Sequence, residues 1–496
     1  MDLGPRTCAL RKDRRGRAFG TAGLARAARL AFFALCAVGA GGAAAPALAA
    51  GAERTPRERL AREIYEELVE TDTSVTSGST TGAAEAVAAR LRAAGVPAGD
   101  VHVLGPSPRK GNLVARLRGS GAEGPLLLLA HLDVVDARRE DWSVDPFTLL
   151  ERDGFFYGRG TADDKAMAAI FTALAVELAR ERRPLRRDVI VALTADEEGG
   201  PEDGVEWLLR EHRDLVDAAL VLNEGGGGQL RGGRRLLHAV QAAEKTYADF
   251  ELVVRDKGGH SSRPTPENAI YRLAAALGCL AAYRFPAELN PVTRAYFERA
   301  ARVEEGSAAA DLAALAASPA DAAAAERLSA DPSWNAQLRT TCVATRLEGG
   351  HANNALPQLA RAVVNCRILP GHTVDEVQAA LVAAVADPAV LVGRLETPSA
   401  PAPPAAVDPA LLSAVERITE AMWPGVPVVP TMSAGATDSR YFRSAGIPAY
   451  GVSGLFHDRD DVRAHGRDER LGVAEFYEGL EFLGRLVAAL AEPAGR

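Results

Sequence analysis

The sequence predicts an α/β protein: a mostly parallel sheet covered by helices, carried by a discontinuous main domain, with a smaller α+β layer inserted into it. Three observations predict this. Apolar runs of strand length alternate with longer amphipathic segments through the first half of the chain, the pattern of a parallel sheet packed between helices. From about residue 246 the strands acquire polar flanks and a helix-rich stretch follows. After residue 405 the strand–helix alternation returns. At 496 residues the chain is too long for one ordinary domain and suits two or three.

The first 50 residues stand apart. Residues 1–29 hold eight basic residues and two acidic ones, residues 30–50 hold no charge, and the stretch closes on Pro46-Ala47-Leu48-Ala49-Ala50. A basic start, an apolar run and an A-x-A ending describe a signal peptide cleaved after Ala49 or Ala50. On that reading the protein is exported, to the periplasm or the cell exterior. An uncleaved membrane anchor is the lesser alternative, since about 20 apolar residues span a bilayer. Arg14-Arg15 leaves twin-arginine export open beside the general route. The segment contributes +6 to a chain of net charge −8, so the remainder carries −14. Such an acidic protein is poorly suited to nucleic acid or an anionic membrane. The remaining cysteines, Cys279, Cys342 and Cys366, make no disulfide framework. Buried free thiols are the expected state, with a Cys342–Cys366 pair as the alternative in an oxidising compartment.

Past the leader, Leu60, Ile64, Tyr65 and Leu68 recur at helical spacing. A second helix over 83–94 stops at Gly95. Strands are expected at 101–104, 112–117 and 126–130, the last a continuous apolar run as in a strand buried on both faces. A helix over 165–181, a strand at 189–194, a helix over 203–211 and a strand at 218–222 complete the first part of the main domain, 51–244. The inserted layer, 245–398, carries strands at 250–254, 342–347 and 359–369 and helices over 268–283 and 374–386. Within it, 286–336 is rich in alanine and charge and reads as a helical insertion without catalytic content. A Pro-rich linker at 398–404 leads into the second part of the main domain, 399–496.

Five short segments supply side chains of the kind that bind zinc. They are His131-Leu132-Asp133, Asp163-Asp164-Lys165, Glu197-Glu198, Asn223-Glu224 and His465-Gly466. His131, Glu197, Glu198 and Glu224 each follow a predicted strand, and in open α/β sheets ligand sites lie at the carboxyl ends of strands. Asp133 lies on the same side of an extended segment as His131. Its carboxylate is therefore expected to accept the second imidazole N–H. Asparagine is a poor zinc ligand, which favours Glu224 over Asn223. The residues alone do not separate Asp163 from Asp164, and His457 rivals His465. The glycine run Gly225-Gly226-Gly227-Gly228 is not followed by Gly-Lys-Ser/Thr, so it is no phosphate loop. Ser261-Ser262 would need a separate base and orienting acid to act as a nucleophile.

The order and chemistry of these segments resemble the M20 family of metallopeptidases, which comprises carboxypeptidases, aminoacylases and dipeptidases with two zinc ions. The resemblance spans roughly residues 55–490 and is weakest over the helical insertion. It implies a di-zinc catalytic domain and makes the inserted layer a lid of the dimerisation type, through which a homodimer forms. It implies His131, Asp163, Glu198, Glu224 and His465 as ligands of two Zn2+, with Co2+ or Mn2+ as substitutes, and Asp163 bridging the ions. Asp163 is selected by the run Gly158-Arg159-Gly160-Thr161-Ala162-Asp163, and His465 by the pattern HG-x-x-E. Glu197 becomes the general base, beside Asp133. His260 becomes a lid histidine over the oxyanion, often supplied by a partner subunit. Asn354, in Asn354-Ala355-Leu356-Pro357, and Arg367, in Asn365-Cys366-Arg367, become substrate-binding residues, the arginine fork gripping a carboxylate. Thr437-Asp438-Ser439-Arg440 resembles a further substrate-side segment of no assigned role. The implied activity is zinc-dependent hydrolysis of an amide bond in a small peptide or N-acyl amino acid with a free carboxylate. A dipeptidase, a deacylase and a non-catalytic binding protein on the same scaffold stay open, although a binder has no need of Glu197.

Overall fold

The computed structural model describes residues 53–200, 202–395, 403–404 and 407–493. The expected leader, 1–50, lies outside the described residues, as does most of the Pro-rich linker. The first helix, Pro56–Glu70, starts on a capping box. The Thr55 hydroxyl accepts the Glu58 N–H, the Glu58 carboxylate accepts the Thr55 N–H at 2.6 Å, and Pro56 occupies the first turn, where no donor is lost.

A ten-stranded sheet forms the centre of the fold. Leu126–His131 lies between Val189–Thr194 and Leu220–Asn223 and runs parallel to both; Ala449–Gly451 extends this parallel core. Asn112–Leu117 and Val101–Leu104 close one edge antiparallel. Strand Leu126–His131 is buried on both faces, and its alternation explains how. Leu126, Leu128 and Ala130 pack under Pro56–Glu70, Thr80–Ala93, Lys165–Glu181, Pro409–Met422 and Val473–Ala491, whereas Leu127 and Leu129 pack under Gly204–Glu211 and Phe442. Each fully buried leucine stabilises by about 1.5–3 kcal/mol relative to exposure. The mostly parallel α/β architecture is the one expected.

The register carries the functional consequence. His131 pairs with Thr194, and Asn223 with Gly451, so neighbouring parallel strands end at one edge of the sheet. The segments that follow them, beginning at Leu132, Ala195 and Glu224, emerge side by side.

Several strands escaped the sequence reading, a hairpin of the main sheet among them. Gly227–Arg231 and Arg234–Glu244 form a hairpin through Gly232-Gly233, both at positive φ, as a tight two-residue turn requires. Glycine is forced at 226 and 228 by close approach. A Cβ at Gly226 would come within 2.0 Å of the Gly451 carbonyl oxygen, and one at Gly228 within 2.0 Å of the Phe456 ring.

A separate four-stranded antiparallel sheet has the order Thr341–Gly349, Leu359–Ile368, Thr246–Arg255, Val390–Arg394. Helices Ala269–Ala282 and Val374–Val385 cover one face around Phe250, Leu252, Leu273 and Leu381. Cys342 and Cys366 form a disulfide across this sheet, in place of the expected free thiols. The register sets the two residues directly opposite each other, which the 24-residue separation in sequence could not disclose. The helical insertion folds as four short helices between Pro291 and Leu338 around Phe297, Leu312 and Leu315. It packs on the strand Val428–Ser433, where Gln337 donates to the Met432 carbonyl at 2.9 Å. Among the described residues no helix is long and apolar enough to cross a membrane.

Candidate active site

His131 closes its strand with the imidazole 2 % exposed. Its Nδ1 lies 2.9 Å from the Asp133 backbone carbonyl, which can only accept, so Nδ1 donates there and Nε2 is the nitrogen turned toward Asp163. This corrects the expectation for Asp133. Its carboxylate is 3.7 Å from Nδ1, beyond hydrogen-bond range. Asp133 instead accepts the backbone N–H of Glu197 at 3.2 Å and of Glu198 at 3.0 Å, one on each oxygen. The strand end turns there, and the next parallel strand delivers its amides to the buried acid. Asp133 therefore holds the Glu197-Glu198 turn, and the peptide backbone orients the histidine. Lys110 pairs with Asp196, which lies in the left-handed region at φ 63°, and fixes the same turn from the other side.

Asp163 lies between two histidines. Its Oδ1 is 3.0 Å from His131 Nε2 and its Oδ2 is 3.1 Å from His465 Nε2. His465 Nε2 is also 2.9 Å from Glu198 Oε2. Glu224 joins His131 and Glu197 in a second group whose ligand atoms all lie within 4.8 Å of one another. The five side chains proposed as ligands thus gather in one place, with Glu197 among them. Asp164 turns away. It is 2 % exposed, and its carboxylate accepts the His131 backbone N–H. His457 faces the same cavity as Asp163 and Glu224, but His465 is the histidine that touches Asp163 and Glu198.

The donor set fits a pair of divalent cations. Ligand atoms on one edge of a zinc tetrahedron with bonds of 2.0–2.1 Å are separated by about 3.3 Å, and the two histidine contacts to Asp163 are close to that spacing. The electrostatics agree. Burial and the neighbouring acids push the Glu224 and Asp164 carboxyls well up, and Glu197 up to about 8. Burial opposes a charge on His131, yet the Asp163 contact and the charges of Glu224 and Asp133 raise it well above the ordinary histidine range. Contacts with Asp163 and Glu198 raise His465 to about 10. Carboxylates crowded out of water in this way demand positive charge.

Several supporting residues lie inside motifs that the sequence marks without assigning them a role. Glu469, in the His465 loop, is fully buried. Its carboxylate accepts Arg159 at 2.5 Å and the backbone N–H groups of Gly160, Ala162 and Asp163 at 2.8–3.2 Å. One side chain therefore ties the bridging aspartate to the loop bearing His465. Glu469→Gln should lower the unfolding free energy toward the lower end of about 3–5 kcal/mol, because Arg159 is left buried without its anion. A urea midpoint close to that of the wild type would show that the network does not hold the two loops. The Thr437–Arg440 segment underlies the strand ends. Thr194 donates to Asp438 at 3.1 Å and Asn223 to Ser439 at 3.0 Å, while Glu244 accepts the Thr437 N–H and hydroxyl.

Of the remaining predicted residues, Arg367 lies on the four-stranded sheet and His260 and Asn354 lie at a separate two-stranded one. His260 and Asn354 come together through the two-stranded pairing of Gly259–His260 with Ala355–Leu356, and the Asn354 carbonyl accepts the Ser261 N–H at 3.0 Å. Both are exposed. Arg367 stacks on Tyr247 with 4.6 Å between the guanidinium carbon and the ring centre and donates to Asn365 at 3.3 Å. Among the described residues, no hydrogen bond or ion pair joins these three to the His131–His465 cluster.

Comparison with known proteins gives consistent matches. The profile of "Peptidase family M20/M25/M40" matches residues 127–489. N-fatty-acyl-amino acid synthase/hydrolase PM20D1 of Xenopus tropicalis is 34% identical over 356 residues, covering 70% of this chain and 69% of the relative. The fold resembles an M20 family metallo-carboxypeptidase from Sulfolobus solfataricus with a TM-score of 0.66 at 18% identity, over 86% of this chain and 98% of that one. It also resembles a dinuclear metal-binding M20 peptidase of Bacillus subtilis with a TM-score of 0.54 at 13% identity, over 88% and 98% of the two chains.

Proposed function

Because this chain belongs to peptidase family M20/M25/M40 and is an amide-bond hydrolase of that family, we propose that it cleaves N-acyl amino acids or small peptides that end in a free carboxylate. The observation that carries this reading is the meeting of Glu197 with a five-residue ligand set at one edge of the sheet. His131, Glu224 and one oxygen of Asp163 would hold one cation; His465, Glu198 and the other oxygen would hold the second. Zn2+ suits the imidazole and carboxylate donors, with Co2+ or Mn2+ as substitutes. Two such ions supply an acidified water and a clamp for the charge that develops on the carbonyl oxygen. Glu197 takes the proton of the attacking water and delivers it to the leaving amine. Asp133 keeps Glu197 directed by holding its backbone. The relative's printed activity on N-fatty-acyl amino acids supports an acyl substrate for this chain.

On this reading residues 245–398 act as a lid over the main domain formed by 51–244 and 399–496. His260 and Asn354, exposed where Gly259–His260 pairs with Ala355–Leu356, serve the oxyanion from a partner subunit in a homodimer. The Cys342–Cys366 disulfide supports export to an oxidising compartment.

Arg367 provides the test of the carboxylate grip. Blocking the substrate carboxylate as an amide should weaken turnover strongly. Arg367→Ala should lower kcat/KM for the free acid by roughly 2–4 kcal/mol and should barely change the amide. Steady-state kinetics of wild type and variant on both substrates read this directly. Equal losses on acid and amide would assign Arg367 to the fold.

A further inference from the structure

The helical insertion meets the four-stranded sheet at a cavity of about 210 Å³, lined in part by Tyr283, Arg284, Ser329, Asn335, Arg339 and Thr341. None of the proposed metal ligands borders it. At roughly 30 Å³ per water the space holds about seven waters, or one small ion with part of its hydration. Both charged side chains in its lining are arginines.

Arg339 is the informative one. It follows the helix Pro332–Leu338 and is only 7 % exposed. The Phe285 carbonyl accepts from its Nη1 at 3.2 Å, and the Ser329 hydroxyl accepts from its Nη2 at 2.8 Å. A guanidinium has five N–H donors, so three are left over. Its Nε is buried and without a hydrogen-bond partner. Among the described residues no carboxylate pairs with it. Burial and the nearby Arg284 push Arg339 down from the ordinary arginine range, while Glu326 pulls the other way. Glu326 is already engaged, since Arg284 donates to both of its oxygens, at 2.9 and 3.0 Å.

A second cation stands behind the first. Lys245 is 1 % exposed, and its ammonium donates to the Arg339 carbonyl at 2.6 Å. It sits where the strand Arg234–Glu244 of the main sheet passes into Thr246–Arg255 of the smaller one. It too makes no ion pair among the described residues, and burial pushes it down to about 7. A guanidinium keeps its charge even when buried. A desolvated charge with no counter-charge is strongly disfavoured, and here the space beside it is large enough to admit one. The Asn335 side-chain amide, which makes no hydrogen bond among the described residues, adds a neutral donor to the same lining.

We infer that this cavity is an anion site, in which Arg339 and Arg284 hold a small oxyanion, a carboxylate or a tetrahedral inorganic ion, at the joint between the helical insertion and the four-stranded sheet.

Calorimetric titration of the full chain with sodium sulfate, and separately with sodium acetate, tests this, with ionic strength held constant by sodium chloride. At least one of the two should give a saturable heat at millimolar concentration. The same salt should raise the thermal midpoint in proportion to the logarithm of its concentration, as binding to the folded state requires. Exclusion of sulfate from the protein surface would act without saturating. Response to sulfate alone identifies a tetrahedral ion, and response to acetate alone identifies a carboxylate. Arg339→Met should abolish the saturable heat. Arg284→Met changes an exposed side chain that the fold can spare and should move the titration to higher concentration. Heat that persists unchanged in Arg284→Met would belong to another site, such as the candidate metal centre, and would overturn the inference. Absence of saturable heat with both salts would overturn it equally.

Discussion

Replacing Glu197 with glutamine should leave the metal in place and lower kcat by about 10²–10⁴. Glutamine keeps the length of the side chain and cannot accept a proton. The fold should not notice the change, because the backbone N–H of residue 197, and not the side chain, meets Asp133. Burial, with the neighbouring Glu198 and Asp163, pushes Glu197 up to about 8. A carboxylate beside an acidified water takes its proton and gives it up to the leaving amine. Metal analysis and kcat on the same preparation check the result. Activity near that of the wild type would remove Glu197 from the role of base. Loss of metal would mean that Glu197 and Glu198 have exchanged roles.

Asp163→Asn should be the most damaging substitution for metal binding. Asp163 meets His131 through Oδ1 and His465 through Oδ2, so both proposed cation positions depend on it. An amide nitrogen is no ligand, and it would point a donor at one of the two histidines. Elemental analysis of the wild type should find about two zinc-class ions per chain, and the variant should hold fewer than half as many. Chelation of the wild type should abolish activity, and readdition of Zn2+ should restore it. A fully active protein with one ion or none would refute the two-ion reading. Asp164→Asn serves as the contrast: Asp164 meets the His131 backbone and neither proposed cation position, so ion content should be retained.

The fold class was legible because burial on both faces leaves a plain mark. Strand 126–131 has no polar position before His131 to interrupt its leucines, since each face packs on helices. The candidate ligands were legible for a related reason. A parallel sheet ends its neighbouring strands together, so acids and histidines just past those ends become neighbours in space even when many residues separate them. His131, Glu198 and Glu224 follow that logic, and the meeting of His465 with Asp163 adds the return of the chain.

Other features depended on register, turn geometry and packing, which residue types do not encode. Asp133 was expected to serve His131, two positions away. The parallel partner strand instead brings the Glu197 and Glu198 amides to its carboxylate, and two orphan donors outcompete one imidazole already satisfied by the backbone. Glu469 looked like the tail of a histidine motif until the Gly160–Asp163 loop closed around it. Cys342 and Cys366 are 24 residues apart in sequence and face each other only through antiparallel register. The residues that could hold metal and move a proton were determined by the sequence itself, because chemistry belongs to side-chain type. Which carboxylate faces a cation, which faces a backbone amide and which is neutralised by arginine was decided by tertiary structure, because those roles depend on distances and on the loss of water.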